Sequence, residues 1–358
     1  MIVSSKNDQK KSVRQSNLKS NKKNLASNLH SNTELSSLNT ESSTSVELRP
    51  KSLDDYIGQE RMINQLKIIL KSAKIREQMP EHILFYGQPG LGKTTVSSLI
   101  ANEMSSQFKV IAAPALQKTG DVVSLLVNLE PSTVLFIDEI HRLRAPLEEV
   151  LYSAMEDKKV DLLMGKGHGA SVARLDINSF MLIGATTQLG KLSKPLKDRF
   201  PTIFQLEPYS EPEILQLVER NSNLLRLSLS QEAQMLICHR SRGVPRIANN
   251  LLKRLLDYQI VHRMKKVDFM HAEDFLIELG IYEKGLTKAD LTYMRALLNG
   301  TIGLRTLSGM LLEETETLEL VLEPYLIYLG FLDKSSGGRK LTPKGKEFIL
   351  NFDGKLVK

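Results

Sequence analysis

Residues 87–95 read GQPGLGKTT, a fit to Gly-x-x-x-x-Gly-Lys-Ser/Thr at Gly87, Gly92, Lys93 and Thr94. Glycines in such a turn let successive backbone N–H groups point inward and cradle phosphate oxygens. The lysine reaches the β- and γ-phosphates, and the hydroxyl ligates Mg2+. The helix that follows turns its positive end on the anion. A chance match is on the order of one per cent per chain, and lower once a strand before and a helix after are required. Further on, VLFIDEIHRL ends an apolar run on Asp138 and Glu139. A carboxylate at the end of a buried strand can hold the water shell of Mg2+, which suits Asp138; Glu139 is the candidate general base for an attacking water. Alone, the pair would read better as a surface cap; beside a phosphate loop it reads as catalytic. His141 reads as structural. MLIGATTQLG puts Thr186 and Thr187 at another strand end, where one could orient the water, but β-branched packing accounts for them as well. KPLKDRF supplies Arg199 and GVPRIANNLLKRLL supplies Arg246. An arginine that reaches a γ-phosphate stabilises transition-state charge, though spacing alone singles out neither.

These residues need a scaffold. From about Leu48 to Tyr209, short continuous apolar runs (HILFYG, FKVIAA, TVLFIDE, FMLIGATT, TIFQLE) alternate with helix-like ones. Such runs predict strands buried on both faces of a parallel sheet, hence an α/β core. Residues 160–177 interrupt the pattern and predict a hairpin with a glycine-rich tip. From 211 to about 284 the pattern is helical. From 285 to 358 three helical stretches, the last ETLELVLEPYLIYLGFL, precede DKSSGGRKLT, a polar turn between short strands. That outline is a winged helix-turn-helix.

The chain has 358 residues, 41% hydrophobic and 25% charged, ordinary for a protein of two or three domains. Its single cysteine, Cys238, excludes an intrachain disulfide and a thiolate metal cluster. No run is long and apolar enough to span a bilayer, so a cytoplasmic, reducing location is expected. The net charge of +7 sits at the ends: residues 1–47 carry seven Lys/Arg against four Asp/Glu, and 331–358 carry seven against three. That excess permits a polyanionic partner. Residues 1–47, Ser/Asn/Lys-rich without aromatic, Gly or Pro, predict a disordered tail. Its start loosely resembles an organelle transit peptide, but a solvated extension is the simpler reading.

The phosphate loop, LFIDEIHRL, GATT, PLKDRF and GVPRIANNLLKR, in that order, resemble the AAA+ ATPases. More narrowly, LRPKSLDDYIGQE, YGQPGLGKTT, ANEM, AMED, LIGATT, RSRGVPRIANNLLKR and VLEPYLIYLGFL resemble the RuvB family of bacterial Holliday-junction branch-migration motors. The likeness runs from Leu48 to the C-terminus. It implies an AAA+ core (48–210), a helical lid (211–284) and a winged-helix DNA-binding domain (285–358). It also implies a homohexameric ring around duplex DNA, with ATP and Mg2+ at the subunit boundary, a RuvA partner that holds the junction and a RuvC-type nuclease that cuts it.

By motif position, the resemblance puts Leu48, Arg49 and Tyr209 at the nucleotide. Gly87, Gly90, Gly92, Lys93, Thr94 and Thr95 take the phosphate-loop roles, with Thr94 and Asp138 on the metal. Glu139 stays the base, Thr187 matches sensor 1 and Arg246 the sensor 2 arginine. Glu156 and Asp157 match a segment facing a neighbour's nucleotide, and Arg199 the finger acting on the next subunit's ATP. Leu162 and Met164 in the hairpin are candidate RuvA contacts; Lys334 and Arg339 in the wing match contacts to the DNA backbone. Three positions depart from the family: Gln88 for Pro at a free loop position, Gln188 for Arg after GATT, and Lys334 for Arg, which loses the bidentate fork. Two other functions compete. A clamp-loader-like ATPase would lack the hairpin and the winged helix. An ATP-switched DNA regulator would read sequence, whereas the wing offers mostly backbone contacts.

Overall fold

The computed structural model describes residues 48–164 and 171–352, with the side chains of 162–172 left aside. The predicted tail, the hairpin tip and residues 353–358 lie outside the described residues. Five strands form one parallel sheet: β1 (Ile83–Tyr86), β2 (Phe108–Ala112), β3 (Thr133–Asp138), β6 (Phe180–Thr186) and β7 (Thr202–Gln205), in the order β2-β3-β6-β1-β7. Each corresponds to an apolar run read from the sequence. Successive side chains feed opposite faces. Ile83, Phe85, Val134, Phe136, Met181 and Ile183 enter one core, and Leu84, Leu135, Ile137 and Leu182 enter the other. Every residue of β6 is buried, which is why FMLIGAT shows no polar alternation.

Helices cover both faces. α1 (Glu60–Ile75) and α2 (Lys93–Glu103) lie on one, and α3 (Thr119–Val127), α4 (Ala145–Asp157) and α5 (Lys194–Asp198) on the other. The lid helices α6 (Glu211–Leu225), α7 (Gln231–Arg240), α8 (Pro245–Val261) and α9 (Phe269–Glu278) share the core of α1 and α2, through Ile214, Val218, Ile237, Ala248 and Leu252. β4 (Lys159–Met164) and β5 (Ser171–Asp176) form the expected antiparallel hairpin.

The C-terminal part has its own core around Tyr293, Leu307, Leu326 and Phe331. It comprises α10 (Lys288–Ala296), α11 (Leu304–Leu311), β8 (Leu332–Ser335), β9 (Gly338–Leu341) and α14 (Pro343–Asn351). The third helix is not the single helix its sequence predicts. It is α12 (Thr315–Thr317), a π turn (Leu318–Leu322) and α13 (Glu323–Tyr328). Pro324 has no N–H for the carbonyl four residues back, and its ring crowds that carbonyl; the wider turn absorbs both effects.

One strut joins lid and winged helix. Arg242 donates to the Gly285 carbonyl at 2.9 Å and to Asp290, fully buried, at 2.5 Å, and its guanidinium lies 4.4 Å from the centre of the Tyr325 ring.

Candidate functional site

The parallel register pairs Tyr86 with Thr186 and Ile137 with Gly184, so Tyr86, Asp138 and Thr186 finish their strands at one edge. Open parallel sheets bind ligands outside this edge. The loop from Gly87 connects β1 to α2 there. Gly92 caps α2 at φ 105°, and a Cβ on it would lie 2.5 Å from the Tyr56 hydroxyl. Gly90 has φ 86°, and a Cβ there would meet Val244 at 2.8 Å and Arg246 at 3.0 Å. Only glycine satisfies both the backbone and the space. The start of α8 therefore abuts the loop, and Arg246 N–H donates to the Gly90 carbonyl at 3.4 Å. Thr94 and Thr95, half-buried, open α2, while Arg246 and Arg49 are exposed.

Lys93 is 7% exposed and donates to the carbonyls of Gly87 at 2.7 Å and Gln88 at 3.0 Å. Burial lowers its pKa, and the nearby charges of Glu139 and Asp138 oppose that shift. Asp138 accepts the N–H of Glu139 at 3.0 Å. Glu139 sits in the left-handed region at φ 49° and ψ 45°, a conformation that costs a non-glycine residue about 1–3 kcal/mol. Its carboxylate accepts from the Thr187 hydroxyl at 3.0 Å and N–H at 3.3 Å, and lies 3.1 Å from His141 Nδ1. Thr186, fully buried, bonds His141 Nδ1 at 2.8 Å and accepts from Gln188 N–H at 2.9 Å. The two threonines thus divide their work: Thr187 faces the carboxylate, and Thr186 fixes the imidazole. His141, read from the sequence as structural, stands between Thr186 and Glu139. Burial lowers its pKa against the pull of Glu139.

Beneath the loop, the Tyr209 hydroxyl donates to that of Tyr56 at 3.0 Å. Burial raises the pKa of both, that of Tyr56 to about 12. Leu48 joins the same core, and Tyr209 N–H donates to the Gly243 carbonyl at 2.9 Å. Tyr56 carried no sequence signal beyond its place in YIGQE.

Arg199 follows α5. Its guanidinium pairs with Glu156 at 3.0 Å, lies 5.1 Å from the centre of the Tyr152 ring and donates to the Pro195 carbonyl at 3.4 Å. None of these partners belongs to its own phosphate loop. Asp157 lies 3.7 Å from Arg174. Leu162 and Met164 stand in β4 opposite Ala173 and Ser171.

The wing turns its two expected phosphate contacts toward glutamates. Arg339 is 6% exposed, and its guanidinium donates to Glu323 at 2.8 and 3.3 Å and to Glu319 at 2.7 Å. Glu323 is itself 1% exposed and also accepts from Tyr293 at 3.0 Å. Nε and Nη2 of Arg339 thus face inward, toward Glu323 and Glu319. Lys334 is exposed but pairs with Glu319 at 2.8 Å and Glu323 at 3.3 Å, and the Glu319 hydrogen bond raises its pKa. Among the described residues, no group of three or more His, Cys, Asp or Glu is placed to hold a metal. No described helix is long and apolar enough to cross a membrane.

Three family models match in tandem. Residues 48–206 match the Holliday junction DNA helicase RuvB P-loop domain, 209–282 the RuvB AAA lid domain and 283–350 the RuvB C-terminal winged helix domain. The chain belongs to the RuvB family. It has that family's AAA+ core, lid and winged helix, and it is an ATP-binding P-loop ATPase of Holliday-junction branch migration. The RuvB branch migration complex subunit of Sulfurimonas denitrificans is 44% identical over 321 residues, 89% of this chain and 95% of that one. The Fusobacterium nucleatum subunit is 42% identical over 313 residues, 86% of this chain and 94% of that one. The solved Thermotoga maritima RuvB branch migration motor superposes with a TM-score of 0.76 at 38% identity, covering 85% of this chain and 98% of that one.

Proposed function

We propose that this RuvB-family chain works as a homohexameric ring that drives duplex DNA through a Holliday junction, each ATP being hydrolysed at a subunit boundary. The observation that carries this reading is the split of the chemistry. Lys93, Asp138, Glu139 and Thr187 gather at one sheet edge, while Arg199 is held by Glu156 and Tyr152 away from its own loop. An arginine so placed suits the γ-phosphate of the next subunit, where it would stabilise transition-state charge.

Lys93 moves its donors from the loop carbonyls to phosphate oxygens. Thr94 and Asp138 would hold Mg2+. A hydroxyl and one carboxylate, with nucleotide oxygens, suit a cation that keeps several waters. Such an ion would supply charge neutralisation at the transferred phosphoryl group. Glu139 takes the proton of the attacking water, and Thr187 orients the carboxylate. Leu48, Arg49, Tyr209 and Arg246 enclose the nucleotide, and Glu156 and Asp157 face the neighbour's.

The wing supplies the DNA contact through Lys334 and the exposed Lys340. Arg339 would meet a phosphate through Nη1, while Nε and Nη2 stay with Glu323 and Glu319. The third helix cannot read a groove easily, because Glu313, Glu314 and Glu316 are exposed at its start. Contacts of this kind position the duplex without reading sequence. The hairpin with Leu162 and Met164 is the proposed docking point for RuvA, with a RuvC-type nuclease acting on the same junction in the cytoplasm. The test is ATP turnover with and without duplex DNA at two salt concentrations, beside Glu139→Gln. Stimulation by DNA of any sequence, weakened by salt and lost in the variant, is expected. Turnover indifferent to DNA would defeat the motor and point to a protein substrate such as a sliding clamp.

A further inference from the structure

We propose that Tyr152 is the positioning residue of Arg199, and that one face of α4 is built as a rail that fixes where the finger points. This rests on the reading of Arg199 as a finger acting on the neighbouring subunit.

Glu148, Tyr152 and Glu156 recur every four residues on α4 and so share one face of it. All three contact the segment that carries Arg199. Glu148, 5% exposed, accepts from the Ser193 hydroxyl and, at 2.8 Å, from the Tyr152 hydroxyl. Ser193 is the N-cap of α5 and accepts from Leu196 N–H at 3.2 Å. The start of α5 is thus pinned to α4 by a buried carboxylate. At the other end of α5, the Arg199 guanidinium lies over the Tyr152 ring and is paired with Glu156.

The three contacts have different weights. α5 has only five residues, too few to hold its own direction, so the Glu148–Ser193 end sets it. Glu156 is 56% exposed, and its pairing is screened. The Tyr152 ring is the contact that water cannot replace. Its hydroxyl donates to Glu148 at 2.8 Å, with the Ser193 oxygen packed 2.9 Å away, so the ring is a fixed plate rather than a loose cover. The Arg199 Nε is buried and has no partner among the described residues. The guanidinium is guided through its face by Tyr152 and through its edges by Glu156 and the long Pro195 contact, the two edge contacts being the ones a phosphate could displace. A group poised this way stabilises charge without reorganising at the moment of reaction.

The experiment measures kcat and KM for ATP, on DNA, for Tyr152→Leu, Tyr152→Phe and Arg199→Ala in the full chain. Size exclusion and thermal melting show that each variant is assembled. Tyr152→Leu is expected to lower kcat about tenfold, from the lost ring–cation contact, with KM moving less than about twofold. Tyr152→Phe keeps the plate and should recover most of that loss. Each defective variant is then mixed with Glu139→Gln chains, which have a dead site but an intact finger. A finger defect is repaired by the neighbour, so mixing should raise turnover above the sum of the two separate preparations, for both Tyr152→Leu and Arg199→Ala. Repair of Arg199→Ala but not of Tyr152→Leu would overturn the rail, since Tyr152 would then act within its own site. The parental rate in Tyr152→Leu would do the same. A parental rate in Arg199→Ala, or a loss in it that mixing cannot repair, would instead overturn the finger reading beneath it.

Discussion

Arg199, beyond α5, is 27% exposed and keeps its buried Nε unpaired among the described residues. The side chain of Arg339, in β9, is 8% exposed and turns Nε and Nη2 on Glu323 and Glu319. Both stand in motifs that resemble ligand-contacting arginines, and both sit beside carboxylates. The difference is the burial of the carboxylate. Glu156 is mostly in water and holds its arginine weakly, leaving it free to serve another charge. Glu323 is almost wholly enclosed, and removing either member of that pair strands the other in a low-dielectric interior. A motif therefore names a residue type at a place. Whether the residue acts outward or inward depends on what the fold puts behind it.

This contrast can be broken in order of effect. The largest should come from Arg199→Ala: turnover on DNA falls about a thousandfold or more while nucleotide binding and assembly persist. A fluorescent ATP analogue and a steady-state assay together decide this. An unchanged rate would leave Arg199 no more functional than Arg339. Next is Glu323→Ala, which uncovers Arg339 and the Tyr293 hydroxyl and should cost about 3–5 kcal/mol in the winged helix. Denaturant melts of the full chain would show an early transition there, with the ATPase core melting as before. If the melt does not move, the inward role assigned to Arg339 is wrong.

A smaller effect is expected from Lys334→Ala. Duplex affinity should fall several-fold at every sequence, and the slope of log affinity against log salt should drop by about one. A loss confined to one sequence would contradict backbone contact. Smallest is a pH effect at the C-terminal turn of α4. His82 accepts the N–H of Leu182 at 2.9 Å on one ring nitrogen and faces the Met155 carbonyl at 3.4 Å with the other. Burial holds its pKa below the ordinary 6.5. The unfolded chain then binds the proton first as pH falls, so this contribution is full above about pH 6.5 and lost progressively below it until the folded group also titrates. Melting temperature should decline by a few degrees between pH 7.5 and 5.5, less so in His82→Asn.

The parallel sheet was legible because a strand buried on both faces leaves no polar residue to blur it: β6 is apolar from end to end. Lys93, Asp138 and Glu139 were legible because phosphate chemistry needs those groups at strand ends. What stayed hidden depended on distant pairing. That Thr187, not Thr186, meets Glu139 follows from a strand end swinging across from β3, which TT cannot show. His141 acquires its role through a threonine 45 positions away. Tyr152 did leave a trace, four residues from Glu148 and four from Glu156, but that spacing is also ordinary helix surface. The inward partners of Arg339 were not legible because those glutamates come from the turn and helix before the wing, and the burial of Glu323 is a property of the assembled domain.

The Arg242 strut has a mechanical consequence. Arg242 precedes Gly243, which receives the hydrogen bond from Tyr209, and reaches across to the Gly285–Asp290 segment that opens the winged helix. Asp290 is wholly enclosed there, so the joint cannot flex without stranding a charge. Lid and winged helix are thereby tied at one buried joint, and the lid in turn meets the phosphate loop where Arg246 N–H reaches the Gly90 carbonyl. A tilt imposed there would be passed through the joint to the wing rather than absorbed by it.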